Sequence, residues 1–237
     1  MTRLMPLFLL GLVGCSPVGL TGSIDGEALS FAEMIYVEQS GTDPGSQQPF
    51  HDISLWLMPV ADSCTVYDTL LRDLIDLRTR MQTDALEATA YCDEWEGILQ
   101  AAFGAEPFWM ANMRLKSLPR ADGEDVTTRY FFFDDARSEM AEGPNFDGEV
   151  ARYPAPTFEA CSAEFTGSGD VYGPGLFEVD GGEAEVEAYT PTESVTVRLS
   201  PTTQDQDDEP LTASTTAEPC LAVLDWSLVF GTGIPNR

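Results

Sequence analysis

Between residues 62 and 103 the apolar side chains recur every three or four positions, and on either side of that window they recur every two. This change of period limits the chain to strands interrupted by a helical insertion. Tyr67, Leu70, Leu71, Leu74, Leu77 and Met81 share one face of a helix predicted to begin at Asp62 or Ser63. A second helix is predicted from Asp84, where Asp84 and Glu87 fit a capping box. Its apolar stripe is Ala88, Tyr91, Cys92, Trp95, Ile98, Leu99 and Ala102, and Gly104 ends it. Before the window, residues 20–39 read as a hairpin broken at Gly26, residues 40–48 as a loop and residues 53–58 as a buried strand. After it, Trp109, Ala111, Met113 and Leu115 alternate with Met110, Asn112, Arg114 and Lys116, and residues 129–133 form an aromatic strand after a turn at Asp122 and Gly123. Gly143, Pro144, Gly148, Pro154 and Pro156 mark residues 138–157 as mostly loop, followed by short strands around 159–165, 183–189, 194–199 and 212–217. The expected class is mainly β with a helical insertion (α+β): an antiparallel β-sandwich or a partly open barrel plus a helical hairpin at about 62–103.

Arg3, the apolar run over 4–13 and the tetrapeptide Leu12-Val13-Gly14-Cys15 resemble the signal peptide and lipobox of a bacterial lipoprotein. The resemblance implies removal of residues 1–14, lipidation of Cys15, a tether over 15–22 and one β-rich domain over 23–237. It also implies a lipid-anchored place in a bacterial cell envelope, at the outer membrane. The leading run, like the apolar stretch 221–230 interrupted by Asp225, is too short to cross a hydrocarbon core of ~30 Å. Besides Cys15 there are Cys64, Cys92, Cys161 and Cys220, an even set that predicts two disulfides in an oxidising compartment. Three connectivities are open. Cys64 with Cys92 and Cys161 with Cys220 is favoured, because each pair falls within one type of local structure and closes a loop worth about 3–4 kcal/mol. The wide spacing argues against structural zinc.

The segment 161–220 is similar to secreted, β-rich lipoproteins of social Gram-negative bacteria, a family without an assigned activity. The likeness rests on a cysteine before a Gly-rich turn, a strand opened by Gly181-Gly182-Glu183-Ala184-Glu185-Val186, the strand Ser194-Val195-Thr196-Val197-Arg198-Leu199, and a last strand closing on Cys220. It departs at residues 211–217, where an aromatic strand opened by glycine would stand. The resemblance implies a β-rich fold and a secreted location.

Forty acidic residues against twelve basic ones leave a net charge of −28, which repels nucleic acid and anionic headgroups. His51 is the only histidine, so H-E-x-x-H is excluded and any Ser/His or Cys/His catalysis must pass through it. Ser168 has Thr166 rather than glycine two residues before it, and Met113 stands where a Ser-x-x-Lys motif on Lys116 needs serine. The glycines over 167–173 miss the dinucleotide-binding spacing by one residue. Carboxylates are too many for sequence to nominate a catalytic pair. Asp205, Asp207, Asp208 and Glu209 form the densest oxygen cluster and a weak calcium candidate. Consecutive Tyr130, Phe131, Phe132 and Phe133 offer an aromatic surface for a glycan or protein partner, or a strand covered by the helices. No cofactor and no catalytic residue is expected. The sequence leads to a non-enzymatic interaction module, with carbohydrate- or calcium-dependent ligand binding as the alternative and an acid-dependent hydrolase third.

Overall fold

The computed structural model describes residues 19–42, 47, 49–83, 86–116, 128–132, 145–166, 174–204 and 210–221. Residues 1–18, with the leader and Cys15, lie outside these. So do Asp84, the turn at Asp122 and Gly123, Phe133, the glycines over 167–173, the acidic set Asp205, Asp207, Asp208 and Glu209, and residues 222–237.

The chain is mainly β with helices. β1 (Ser23–Ile24) and β2 (Glu27–Ala28) form a small hairpin. The main sheet comprises β3 (Glu33–Thr42), β4 (Pro49–Met58), β5 (Phe108–Lys116), β6 (Thr128–Phe132), β7 (Asn145–Tyr153), β8 (Gly175–Thr190), β9 (Ser194–Thr203) and β10 (Ala213–Pro219). Its order β10-β3-β4-β5-β7-β6-β8-β9 closes into a barrel. Pairing is antiparallel except for β6 against β7 and β10 against β3. The β10–β3 seam rests on two residue pairs, Glu218 with Ile35 and Pro219 with Tyr36.

Alternation divides β3, β4, β5 and β7 between two cores. Met34 and Tyr36 of β3, Ile53, Leu55 and Leu57 of β4, and Ala111, Met113 and Leu115 of β5 point into the barrel, where Phe146, Val150, Val186, Val197 and Leu199 meet them. The alternate residues Ile35, Val37, Met110, Ala151 and Tyr153 face outward into a second core beneath the helices. Those helices are α1 (Ser63–Gln82), α2 (Ala88–Phe103) and α3 (Phe158–Thr166). They contribute Tyr67, Leu70, Leu74, Leu77, Tyr91, Trp95 and Leu99, all buried. Phe108 stacks between Phe103 and Tyr153, with ring centroids 4.8 and 5.2 Å away.

Asp62 occupies the N-cap position of α1 but does not cap its backbone; its carboxylate accepts from Thr65 Oγ1 at 3.2 Å. The capping group is Glu33 of β3, whose Oε2 accepts from the Ser63 N–H at 2.6 Å and from the Ser63 hydroxyl. α2 starts at Ala88 rather than near Asp84, and Ala88 is exposed. Gly104, at φ 90°, ends α2 as the sequence predicts.

Several expectations are corrected. The hairpin over 20–39 is limited to β1 and β2, and β3 pairs along its whole length with β4. Residues 145–153, read as loop, are a full strand, and its Gly148 permits a close crossing: a Cβ there would lie 2.5 Å from Asn112 O and Met113 Sδ. The strand read around 159–165 is instead α3 (Phe158–Thr166), whose first turn is held by Thr157 Oγ1 accepting from the Ala160 N–H at 3.2 Å. The disulfides are Cys64 with Cys220 and Cys92 with Cys161, not the pairs favoured from sequence. The helical α3 carries Cys161 against α2. The parallel return of β10, with Cys220 N–H donating to Tyr36 O at 2.8 Å, carries Cys220 to the start of α1. Each bridge joins elements far apart in the chain.

Candidate functional site

The two ends of the barrel differ. At one, the segment carrying β1 and β2 plugs the opening: Leu20, Ile24 and Phe31 enter the barrel core, so the folded part begins before residue 23. Thr21 and Thr212 exchange backbone hydrogen bonds of 2.7 and 3.0 Å there. Arg152 ion-pairs with Glu27 and lies 5.6 Å from the centroid of the Trp109 ring.

The opposite end, where β3 runs out and β4 begins, is polar. Glu38 lies two residues beyond Tyr36 on the same face of β3, and His51 lies two before Ile53 on β4. Tyr189 arrives from the end of β8, packed against the barrel core. Its hydroxyl donates to Glu38 Oε1 at 2.7 Å. The Thr192 N–H of the β8–β9 turn donates to the same oxygen at 3.3 Å. His51 Nε2 lies 3.2 Å from the Tyr189 hydroxyl, with the rings edge to face at 6.2 Å. A phenol has one proton, and Tyr189 gives it to the carboxylate. His51 therefore donates from Nε2, and a neutral ring carries its lone pair on Nδ1. That Nδ1 is buried with no hydrogen-bond partner among the described residues, and the Tyr36 hydroxyl lies deeper in the barrel, close to Glu38. Burial first, then the neighbouring Glu38 carboxylate and Glu193, push the Tyr36 phenol up to about 12. Burial and donation to Glu38 likewise push the Tyr189 phenol up.

A chain of His51, Tyr189 and Glu38, with Tyr36 beneath, thus forms the mouth. Its open valence is an acceptor on the imidazole, suited to a hydroxyl or ammonium donor. The sequence isolates His51 because it is the sole histidine. Glu38, Tyr36 and Tyr189 escape it, although Tyr36 and Glu38 share a parity in Met34-Ile35-Tyr36-Val37-Glu38 that sets a carboxylate on the inward face.

The other sequence candidates are dispersed. Lys116 pairs with Asp147 at the edge of β5 and β7. Glu149 stands opposite Glu178 across β7 and β8; its side chain is exposed, and the strands crowded around it, then Glu178 and Asp147, push its carboxyl up. Tyr130, Phe131 and Phe132 lie on β6. The four cysteines form the two bridges described above. Among the described residues no group of three or more His, Cys, Asp or Glu could hold a metal, and no helix is long and apolar enough to cross a membrane. No protein-family model, curated protein or solved structure matches the chain.

Proposed function

We propose that this chain is a lipid-anchored, non-enzymatic interaction module of a Gram-negative cell envelope, presenting the polar mouth of its barrel to a partner. The observation that carries the reading is the pair of disulfides, one binding α1 to the end of β10 and the other α2 to α3 across long stretches of sequence, which belong in an oxidising compartment. The anchor follows from the lipobox at Cys15. The buried Leu20 lies five residues beyond Cys15, a reach of roughly 17 Å at full extension. The plugged end therefore stays near the bilayer and the mouth faces away from it. Its charge of −28 directs the module away from nucleic acid and anionic lipid. Metabolic labelling with a clickable fatty acid tests the anchor: Cys15→Ser loses the label, because only a thiol accepts the diacylglyceryl group. Equal label in parent and variant refutes the reading.

A second reading, glycan binding at the mouth, is favoured by the unpartnered His51 Nδ1, which a sugar hydroxyl would satisfy. The sole histidine gives one imidazole signal in NMR. Titration with envelope oligosaccharides should move it in the parent and not in Tyr189→Phe. An unmoved signal leaves a protein as the partner class.

A further inference from the structure

The two disulfides differ in access. Cys92 and Cys161, which join α2 to α3, are 1% and 0% exposed, whereas the other bridge pairs a buried Cys220 with a partly exposed Cys64 in the first turn of α1. They also differ in what they hold. β3 pairs with β4 through ten residues and β10 with β9 through five, but the seam between β10 and β3 consists of two pairs. One of the two is Pro219, which has no N–H to donate. The next hydrogen bond across the seam, from the Cys220 N–H to Tyr36 O, is made by the bridged residue itself. The other two-pair contact, β6 with β7, is backed by the pairing of β7 with β8. The Cys64–Cys220 bridge therefore clamps a narrow closure of the barrel and ties it to α1.

We propose that Cys64–Cys220 is a redox-active latch opened by a protein dithiol, while Cys92–Cys161 is a static bridge. A disulfide exchanges only when a thiolate can reach one of its sulfurs, and exposed bridges are the labile ones. Access here is through Cys64. A thiolate of the dithiol bonds to Cys64 Sγ and the Cys64–Cys220 bond breaks; Cys220 Sγ leaves with the electron pair and takes up a proton. The second thiol, as thiolate, then attacks its own partner sulfur in the mixed disulfide, and Cys64 leaves in turn. The start of α1 favours that departure, because a helix N-terminus stabilises a thiolate. In sum the bridge gains two electrons and two protons, and the dithiol becomes a disulfide. The reverse exchange closes the latch. Opening is local: β10 stays on β9, and Leu211, Ala213 and Ala217 stay in the barrel core, while Ile35 and Tyr36 part from Glu218 and Pro219.

Dithiothreitol without denaturant, applied to the full exported chain and quenched at intervals with iodoacetamide for peptide mapping, tests this. Cys64 and Cys220 should be alkylated about tenfold faster than Cys92 and Cys161, with the far-UV spectrum retained. In the selectively reduced chain, amide exchange should rise about tenfold at residues 35, 36, 218 and 220 and stay slow over 53–57 and 110–115. Cysteamine, a cationic monothiol that the acidic surface attracts, has no second thiol, and its adduct should be trapped on Cys64. Equal rates for the two bridges, earlier reduction of Cys92–Cys161, resistance of both, an adduct on Cys220, loss of the far-UV spectrum on selective reduction, or a reduced seam that exchanges no faster would each overturn the latch. Cys64→Ser with Cys220→Ser, which cannot form the bridge, should show the reduced chain's exchange pattern without any reductant. The oxidised parent's pattern in that variant would also count against the proposal.

Discussion

Glu38 is a carboxylate on the inward face of a barrel strand, and two donors hold it there: the Tyr189 hydroxyl and the Thr192 N–H. Tyr189→Phe removes the stronger donor from Glu38 and the acceptor from His51 at once. It should cost about 1–3 kcal/mol, the penalty for leaving buried polar groups unmatched. Tyr36→Phe, in contrast, removes a hydroxyl that lies near the same carboxylate without a hydrogen bond of good geometry, and should cost less than Tyr189→Phe. Urea melts of the two variants separate these cases; equal losses would refute the assigned network. On the outer face, Glu149 and Glu178 set like charges directly opposite. The Glu149 carboxyl is pushed up, so the folded state binds its proton more tightly than the unfolded chain does. Stability from this group is therefore lost as pH rises through its unfolded value of about 4.3 towards its folded one. Glu149→Gln should accordingly stabilise by about 0.2–1 kcal/mol at pH 7, with the gain shrinking towards pH 4. Melts at the two pH values check it, and a gain independent of pH would be the wrong result. His51 stood out in the sequence because no other histidine competes with it. Its partner Tyr189 is 138 residues away, joined to it only when the barrel closes, and no local pattern carries that information.

Elements show the same division between local and distant causes. α1, α2, β4 and β5 were legible because each exposes one face and buries another in a regular period. β7 and α3 were not. Gly148 leaves a gap in the apolar alternation of β7, and Cys161, Ala163 and Phe165 recur every second residue and mimic a strand in what is a small-residue helix. That misreading led directly to the wrong disulfides, since a strand at Cys161 would sit beside Cys220 whereas a helix sits beside Cys92. Non-reducing peptide mapping should therefore recover Cys64 with Cys220 and Cys92 with Cys161, and a Cys64–Cys92 peptide would contradict the packing of α3 on α2. Replacing Cys92 and Cys161 together by alanine opens a 69-residue separation and should cost about 4 kcal/mol on chain-entropy grounds. The start of α1 also has a distant cause, because its capping group comes from β3. Glu33→Ala should destabilise by about 1 kcal/mol, the usual loss of an N-cap, although Asp62 stays in place. A silent Glu33→Ala in thermal melts would show that Asp62 can take over.

At the scale of the molecule, net charge sets the response to ions. Ion pairs such as Arg80 with Glu94, Arg198 with Glu185 and Arg152 with Glu27 engage the few cations, and most of the 40 carboxylates have no basic side chain to meet. Salt acts on both terms. It weakens exposed pairs, each worth about 0–1 kcal/mol, and it screens the mutual repulsion behind a charge of −28. With twelve basic residues the first term is bounded, while the second involves every unmatched carboxylate, so screening wins. Raising NaCl from 0.1 to 1 M shortens the Debye length from about 10 to 3 Å and should raise the melting temperature by several degrees. Screening does not discriminate between divalent ions at matched ionic strength. A site at Asp205, Asp207, Asp208 and Glu209 would discriminate, because calcium accepts irregular carboxylate cages that magnesium, with its demand for octahedral geometry, does not. Parallel melts in calcium and magnesium should therefore coincide. A rise seen with calcium alone and abolished by Asp207→Asn with Asp208→Asn would replace screening with a specific site, and would move the partner surface from the barrel mouth to the segment between β9 and β10.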